Sequence, residues 1–294
     1  MSARTEPSVE KQVEQLAAEV MPSARGSLRP DAVLADLGFD SLACADLALA
    51  VEERFGVRLA DTDVVELRTL ANVAVAVGVR PDRRTGLPRG IGRSATAARR
   101  ITGPFIRWWF HMRITGLENL PVDGPVIVAP NHRSMWDIPM LVIACPRRMV
   151  FMAKIELYKN WFLERLWFEL GGFPVRREIA DLRAIDHSLE VLDAGLALGI
   201  YPEGTRSFTG EMLPFLKGAA WLALHTGAPI VPCAITGTSR RARADEPRPK
   251  SRRPVTLVFG PPIRVEPEPD PLARRSKADA LTDQLFEAVT ELLA

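Results

Sequence analysis

Residues 125–137 read PVIVAPNHRSMWD, an apolar run that ends in a polar heptad. The run is short, rich in β-branched side chains and bounded by prolines, which predicts a buried strand. His132 and Asp137 would follow its carboxyl end, where active sites of α/β folds usually lie. Two interpretations are open at this point. The pair is either a general base with an orienting carboxylate or a structural contact in a polar loop.

Apolar runs and helical patterns alternate on both sides of this stretch. Helical patterns occur near residues 136–144, 161–170, 179–194 and 217–227, and a closing helix has Ser276 and Asp279 spaced as a capping pair. The alternation predicts an α/β domain with a largely parallel sheet. The predicted strands are PVIVAPN, MVFMAK, LGIYP, PIVPCAI and VTLVFG.

The first 80 residues differ from the rest in charge and in pattern. They carry a formal charge of −5, whereas residues 81–294 carry +7. Helical patterns without strands predict a four-helix unit, which we call the amino-terminal unit (residues 1–80). Residues 81–100 contain six arginines, three glycines and two prolines, which predicts a flexible linker. Residues 101–294 are the carboxy-terminal unit.

Composition excludes several classes of protein. The amino terminus lacks the apolar core of a signal peptide, and the apolar runs fall short of the roughly 18 residues that a spanning helix needs. Three cysteines without metal-ligand spacing predict buried thiols and no metal site. A basic run near residues 239–254 has no recognised nucleic-acid-binding module beside it. We therefore expect a cytoplasmic protein that binds no nucleic acid.

Two stretches interleave aromatic and charged side chains. GPFIRWWFHMRITG and WFLERLWFEL predict either interfacial helices that contact anionic lipid or ordinary core packing. The first alternative would place the protein peripherally on the inner face of the membrane.

The stretch LGFDSLACADLALAVEERFGV places Ser41 at the start of an amphipathic helix. Ser41 either caps this helix or is a modification site, because the positive end of the helix dipole favours an added phosphodiester. Asp46, Glu52 and Glu53 would then form an anionic face for a basic partner enzyme.

Residues 8–78 resemble acyl carrier proteins, because LADLGFDSL, VEERFGVRL and LRTLANVAVAV follow the family's order and spacing. The resemblance implies a four-helix bundle with 4′-phosphopantetheine on Ser41. It also implies a phosphopantetheinyl transferase and acyl-loading enzymes as partners.

Three further blocks border predicted strands of the carboxy-terminal unit. They are GGFPVRRE at 171–178, YPEGTRS at 201–207 and VPCAITG at 231–237. The second block combines a tight turn with a cation and hydroxyl donors, which suits an oxyanion such as phosphate. The alternative is a strand-terminating turn with a solvated arginine.

With NHRSMWD, these blocks resemble the glycerolphosphate/acylglycerolphosphate acyltransferase family over about residues 101–270. The resemblance implies that His132 is the general base and Asp137 its orienting partner. Arg176 stands where the family often has an acid, which favours an unusual acceptor. The remaining histidines, His111, His187 and His225, are interpreted as surface or packing residues. The positions expected to bind the acceptor and its phosphate are Arg177, Glu203, Gly204, Thr205 and Arg206, with Lys154 and Lys217 as weaker candidates.

The two resemblances together predict an O-acyltransferase of phospholipid biosynthesis. A thioester on the chain's own carrier, on free acyl carrier protein or on acyl-CoA would supply the acyl group. The acceptor would be a lysophospholipid, with lysophosphatidate converted to phosphatidate. One alternative keeps this chemistry with glycerol 3-phosphate, a glycolipid or an amino lipid as acceptor. Another is a non-catalytic carrier and membrane-docking module.

Overall fold

Three helices of the amino-terminal unit lie within the residues that the computed structural model describes, which are 8–57, 59, 68–78, 93–175, 182–207, 209–238 and 254–294. They are α1 (Val9–Val20), α2 (Ser41–Phe55) and α3 (Leu70–Gly78). The Asp40 side chain caps α2 by accepting from the N–H of Ala43, and Gly56 ends the helix with a φ of 65°. The predicted helix around residues 61–67 lies outside the described ranges.

Among the described residues of the carboxy-terminal unit, seven strands form one sheet. They are β1 (Arg113–Thr115), β2 (Val126–Pro130), β3 (Met149–Lys154), β4 (Gly172–Val175), β5 (Ala197–Gly199), β6 (Ile230–Thr236) and β7 (Thr256–Phe259). Their order is β1-β7-β6-β2-β5-β3-β4. Every neighbouring pair is parallel except β6 and β7. The prediction of a largely parallel sheet is confirmed.

The described ranges contain six more helices, of which α4, α5, α7, α8 and α9 lie on the two faces of the sheet. Strand β2 shows why both faces must be covered, because Val126 and Val128 pack on one side while Ile127 and Ala129 pack on the other. Helices α4 and α5 cover the first face, and α7, α8 and α9 cover the second. The bounds are α4 (Arg93–Trp109), α5 (Asp137–Ala144), α6 (Trp161–Leu170), α7 (Leu182–Asp193), α8 (Gly218–Thr226) and α9 (Pro271–Leu293).

Two predicted boundaries differ from the structure. Helix α4 begins at Arg93, so residues 93–100 of the predicted linker are helical, and the linker up to residue 92 lies outside the described ranges. The stretch RSATAARR contains neither glycine nor proline and is rich in alanine and arginine, which favour helix. Helix α9 begins before the predicted Ser276–Asp279 pair, because Asp270 caps it and proline occupies its first position.

Helix α2 also packs against α7 and α9, and apolar side chains of both units form a continuous buried cluster. In the described part of the chain, no helix is both long and apolar enough to cross a membrane.

Candidate active site

His132 lies in the loop that joins β2 to α5, at the carboxyl edge of the sheet. Strand β2 ends at Pro130 and α5 begins at Asp137, so both members of the pair sit at element boundaries. His132 is 4% exposed, and its Nδ1 lies 3.0 Å from Oδ2 of the fully buried Asp137. The spacing in NHRSMWD therefore brings the two side chains into direct contact.

The Asp137 carboxylate is held by donors on both oxygens. Oδ2 also accepts from the backbone N–H groups of Arg133 and Ser134 at 2.7 Å, and Oδ1 accepts from the hydroxyl of Thr238. A carboxylate accepts hydrogen bonds, so the N–H on Nδ1 of His132 donates a hydrogen bond to Oδ2 of Asp137. This tautomer leaves the lone pair on Nε2 of His132 available as a base.

Asn131 holds the loop between β2 and α5 against β6. Its side-chain oxygen accepts from the N–H of Ile235 at 2.7 Å, and its amide donates to the carbonyl of the same residue at 3.1 Å. Both bonds are buried, so they are shielded from competing water. The loop that follows β2 is thereby fixed to the neighbouring strand β6.

The loop after β5 contacts His132 from the other side. Oε1 of Glu203 accepts from the N–H of His132 at 2.6 Å, and Oε2 accepts from the N–H of Leu213 at 2.9 Å. The N–H of Ser207 donates to the carbonyl of His132 at 2.8 Å. The ring of Tyr201 lies 4.2 Å from the His132 ring, centroid to centroid. The block YPEGTRS therefore lies at the same carboxyl edge of the sheet as His132 and helps to hold His132 in position.

Glu203 is a buried carboxyl group, and burial raises its pKa. The two backbone donors and the nearby charge of Arg133 oppose that rise. Gly204 follows in a left-handed turn with a φ of 66°, and a Cβ there would lie 2.6 Å from a methyl carbon of Leu216. The turn therefore requires glycine at this position.

The other predicted acceptor-binding residues are spread around this edge. Thr205 is exposed and Arg206 half-buried in the YPEGTRS loop. Nζ of Lys154, at the end of β3, lies 3.0 Å from Glu156, and Nζ of Lys217 lies 2.5 Å from Asp279 in α9. Arg176 and Arg177 lie outside the described residues.

Sequence reasoning missed two residues of the site. The half-buried Arg133 directly follows His132, and its buried Nε has no hydrogen-bond partner within the described residues. Its position in the heptad could have drawn attention to it. Thr238 gave no such signal, because it is 101 residues from Asp137 in sequence.

Ser41 is the first residue of α2, and its side chain is exposed. The capping interpretation does not hold, because the Asp40 side chain accepts from the N–H of Ala43 at 2.8 Å. The position fits a phosphodiester, since the hydroxyl is accessible and lies at the positive end of the helix dipole.

Two families match the chain. The family described as phosphopantetheine attachment site matches residues 11–77, and the family described as acyltransferase matches residues 111–236. Residues 11–77 therefore contain a phosphopantetheine attachment domain.

Several curated proteins are similar to the carboxy-terminal part. The 1-acyl-sn-glycerol-3-phosphate acyltransferase of Bacillus subtilis is 30% identical over 182 residues, which cover 62% of this chain and 87% of that protein. The enzyme of the same name from Cocos nucifera is 31% identical, with 56% and 54% covered, and the human beta enzyme is 33% identical, with 47% and 53% covered. The chain thus spans about half the length of the coconut and human relatives.

A solved structure is also similar. The crystal structure of the 1-acyl-sn-glycerophosphate (LPA) acyltransferase of Thermotoga maritima is 27% identical, with a TM-score of 0.47. The match covers 65% of this chain and 78% of that one.

Proposed function

The chain belongs to the acyltransferase family of these relatives, and on that basis we propose that it transfers a fatty acyl group from a thioester to a lysophospholipid hydroxyl. The acceptor is lysophosphatidate and the product is phosphatidate. The observation that carries the proposal is the buried His132, whose Nδ1 is held by Asp137 so that Nε2 can act as a base. The bacterial, plant and human relatives named above support the choice of acceptor.

The geometry assigns a role to each member of the pair. Nε2 of His132 takes the proton of the acceptor hydroxyl as its oxygen attacks the carbonyl carbon of the acyl thioester. A carbon–oxygen bond forms, the carbon–sulfur bond breaks, and the imidazolium returns the proton to the departing thiolate. Asp137 stabilises the imidazolium and holds its orientation throughout.

Cations at the same edge of the sheet would bind the acceptor phosphate. Arg206 lies in the loop whose Glu203 carboxylate bonds the backbone of His132, so a phosphate held there would be close to the base. Arg133, the residue after His132, adds a second guanidinium near Glu203. The roles of Arg177, Lys154 and Lys217 rest on the resemblance, and the present partners of the two lysines are acidic side chains.

The amino-terminal unit is the acyl carrier in this proposal, and Ser41 is the attachment point of 4′-phosphopantetheine. When attached, that group supplies the thiol that bears the acyl chain. A phosphopantetheinyl transferase must reach the exposed Ser41 hydroxyl, and acyl-loading enzymes must reach the same end of α2. The end of this unit at residue 80 is part of the proposal, and the carboxy-terminal unit includes all of α4 from Arg93.

Membrane contact is proposed through α4 and α6, which pack against each other. Their exposed aromatic side chains include Trp108, 66% exposed, and Trp161, 77% exposed. The exposed aromatic side chains extend to the loop that carries His132. The ring centroid of Trp136, in NHRSMWD, lies 6.0 Å from that of Phe110, which directly follows α4. Aromatic side chains beside arginines suit the interface of an anionic bilayer, so the protein would lie peripherally on the inner face of the membrane.

The proposed reaction can be tested with the purified chain, acyl-CoA and a panel of acceptors. The panel contains lysophosphatidate, glycerol 3-phosphate, a lysophosphatidylethanolamine and a glycolipid, with products identified by mass spectrometry. Phosphatidate is expected as the main product. A product from another acceptor alone would show that lysophosphatidate is the wrong acceptor, and no product from a folded protein would favour the non-catalytic alternative.

Replacing Thr238 with valine is expected to lower kcat by about tenfold to a hundredfold, with little change in KM. The substitution removes a donor to a buried carboxylate, which costs about 1–3 kcal/mol. The carboxylate can then rotate away from Nδ1 of His132. Steady-state kinetics would measure the effect, with Thr238→Ser as the control because serine keeps the hydroxyl. A Thr238→Ser variant as slow as Thr238→Val would argue against a positioning role.

Replacing Trp108 and Trp161 together with alanine is expected to weaken binding to phosphatidylglycerol vesicles by at least about tenfold. Each substitution removes a large aromatic surface that would otherwise enter the bilayer interface. Vesicle co-sedimentation measures the change. Val122→Ala is the control, because Val122 is 92% exposed and apolar but lies outside α4 and α6. Unchanged binding by the double variant would place the membrane contact elsewhere.

A further inference from the structure

A buried charged group joins the amino-terminal unit to the carboxy-terminal unit. Asp46, in the second turn of α2, is only 2% exposed. Its Oδ1 accepts from Nη1 of Arg274 at 2.6 Å and from the indole N–H of Trp221 at 3.2 Å. Arg274 is 5% exposed and Trp221 is fully buried, so the contact excludes water on both sides.

Arg274 is held in place by its own unit. Its Nε donates to the carbonyl of Glu268 at 2.9 Å, and its Nη2 donates to the carbonyl of Pro269 at 3.0 Å. The guanidinium carbon lies 5.5 Å from the centre of the Trp221 ring, and His225 stacks on that ring at 5.2 Å. Because these contacts all come from residues 221–274, the site does not need Asp46 to hold its shape.

The helix that carries Asp46 is shaped for close approach. The small side chains of Ala45 and Ala48 let α2 approach the carboxy-terminal unit closely. Both line a groove with Leu182 and Ile185 of α7. A second contact lies beside the first, because Nη2 of Arg275 donates to the carbonyl of Val20 at the end of α1. Nε of Arg275 lies 3.8 Å from Oδ2 of Asp46. The two arginines therefore contact two different helices of the amino-terminal unit.

The chemistry of the contact favours a specific partner. Burial raises the pKa of Asp46 to about 6 even though Arg274 and Arg275 lower it. A buried ion pair therefore adds little net stability, whereas a mismatched partner would leave an uncompensated charge. Opposite net charges on the two parts of the chain favour the same association.

We propose that Arg274, Arg275 and Trp221 form a docking site that binds the chain's own amino-terminal unit through Asp46. Through this docking site, the acyltransferase unit would receive the acyl group from the amino-terminal unit of the same chain. The inference rests on the proposed function only in treating the amino-terminal unit as an acyl carrier. Ser41 stays exposed while α2 is docked, so the modification site remains accessible in this arrangement. Of the three residues of the anionic face predicted from the sequence, Asp46 is the one bound to basic side chains of the same chain.

The test uses the full chain and the substitution Asp46→Arg, which places a cation against two arginines. Breaking one side of a buried pair is expected to shift the docking equilibrium by about a hundredfold or more. Hydrogen exchange should then accelerate in the first two turns of α9 and in α2, and the radius of gyration measured by X-ray scattering should increase. Asp36→Arg is the matched control, since it makes the same charge change at an exposed carrier residue.

Exchange in β2 and in the first two turns of α1, away from Val20, reports whether the two units stay folded. Arg275→Ala serves as a second variant, which removes the contact to Val20 from the other side. The proposal is overturned if neither variant accelerates exchange at the interface while β2 and α1 stay protected. Acyl transfer from acyl-CoA is measured in parallel. A wild-type chain without that activity would refute the proposed function and leave the docking result standing.

Discussion

Replacing His132 with alanine is expected to lower kcat for acyl transfer by about 10²–10⁴-fold, the usual contribution of a general base. In the proposed mechanism Nε2 accepts the hydroxyl proton, and no second histidine is hydrogen-bonded to Asp137 among the described residues. Binding of the acceptor phosphate should change little, because Arg133 and Arg206 remain. The effect should therefore appear in kcat and not in KM.

The measurement is a steady-state assay with acyl-CoA and lysophosphatidate, read as phosphatidate formed. His111→Asn is the control, because His111 is an exposed histidine with a φ of 47°, a conformation that asparagine tolerates. Circular dichroism and exchange protection of β2 verify the fold of the His132→Ala variant. A folded variant within a few fold of the wild-type kcat would remove His132 from the mechanism.

The His132–Asp137 pair could be predicted because its signals are local. The two residues share one heptad, and that heptad follows an apolar run that could only be a buried strand or a buried helix segment. Strand β3 was predicted at its observed bounds, Met149–Lys154, for the same reason. Strand β1, with the sequence Arg-Ile-Thr, was missed because a three-residue strand carries too little pattern to detect.

Contacts between segments that are distant in the chain could not be predicted from the sequence. The hydroxyl of Thr238 reaches Asp137 only because β6 and β2 are neighbours in the sheet. Asp46 and Arg274 are 228 residues apart, so neither side chain could reveal its partner. Glu203 was predicted to bind the acceptor, but its bonds to the backbone of His132 and Leu213 depend on how two loops meet. Its role toward the acceptor stays a prediction.

Ser41→Ala is expected to abolish attachment of phosphopantetheine completely while leaving the fold intact. The hydroxyl is the proposed point of attachment, and no other group of α2 can replace it at the exposed helix start. Helix α2 should keep its stability, because Asp40 and not Ser41 supplies the cap. Intact-mass spectrometry after co-expression with a phosphopantetheinyl transferase measures the modification, with Ser27→Ala as the control at another exposed serine.

The same variant tests where the acyl group comes from. The docking of α2 on the acyltransferase unit and a single covalent chain hold the carrier at about millimolar effective concentration or higher. Free donors compete poorly against such a concentration, so phosphatidate formation in cells should fall to near background in Ser41→Ala. Purified Ser41→Ala supplied with acyl-CoA should keep its activity, because Ser41 takes no part in the chemistry at His132. Unchanged lipid formation in cells would mean that the chain draws on free acyl carrier protein or acyl-CoA instead of its own carrier.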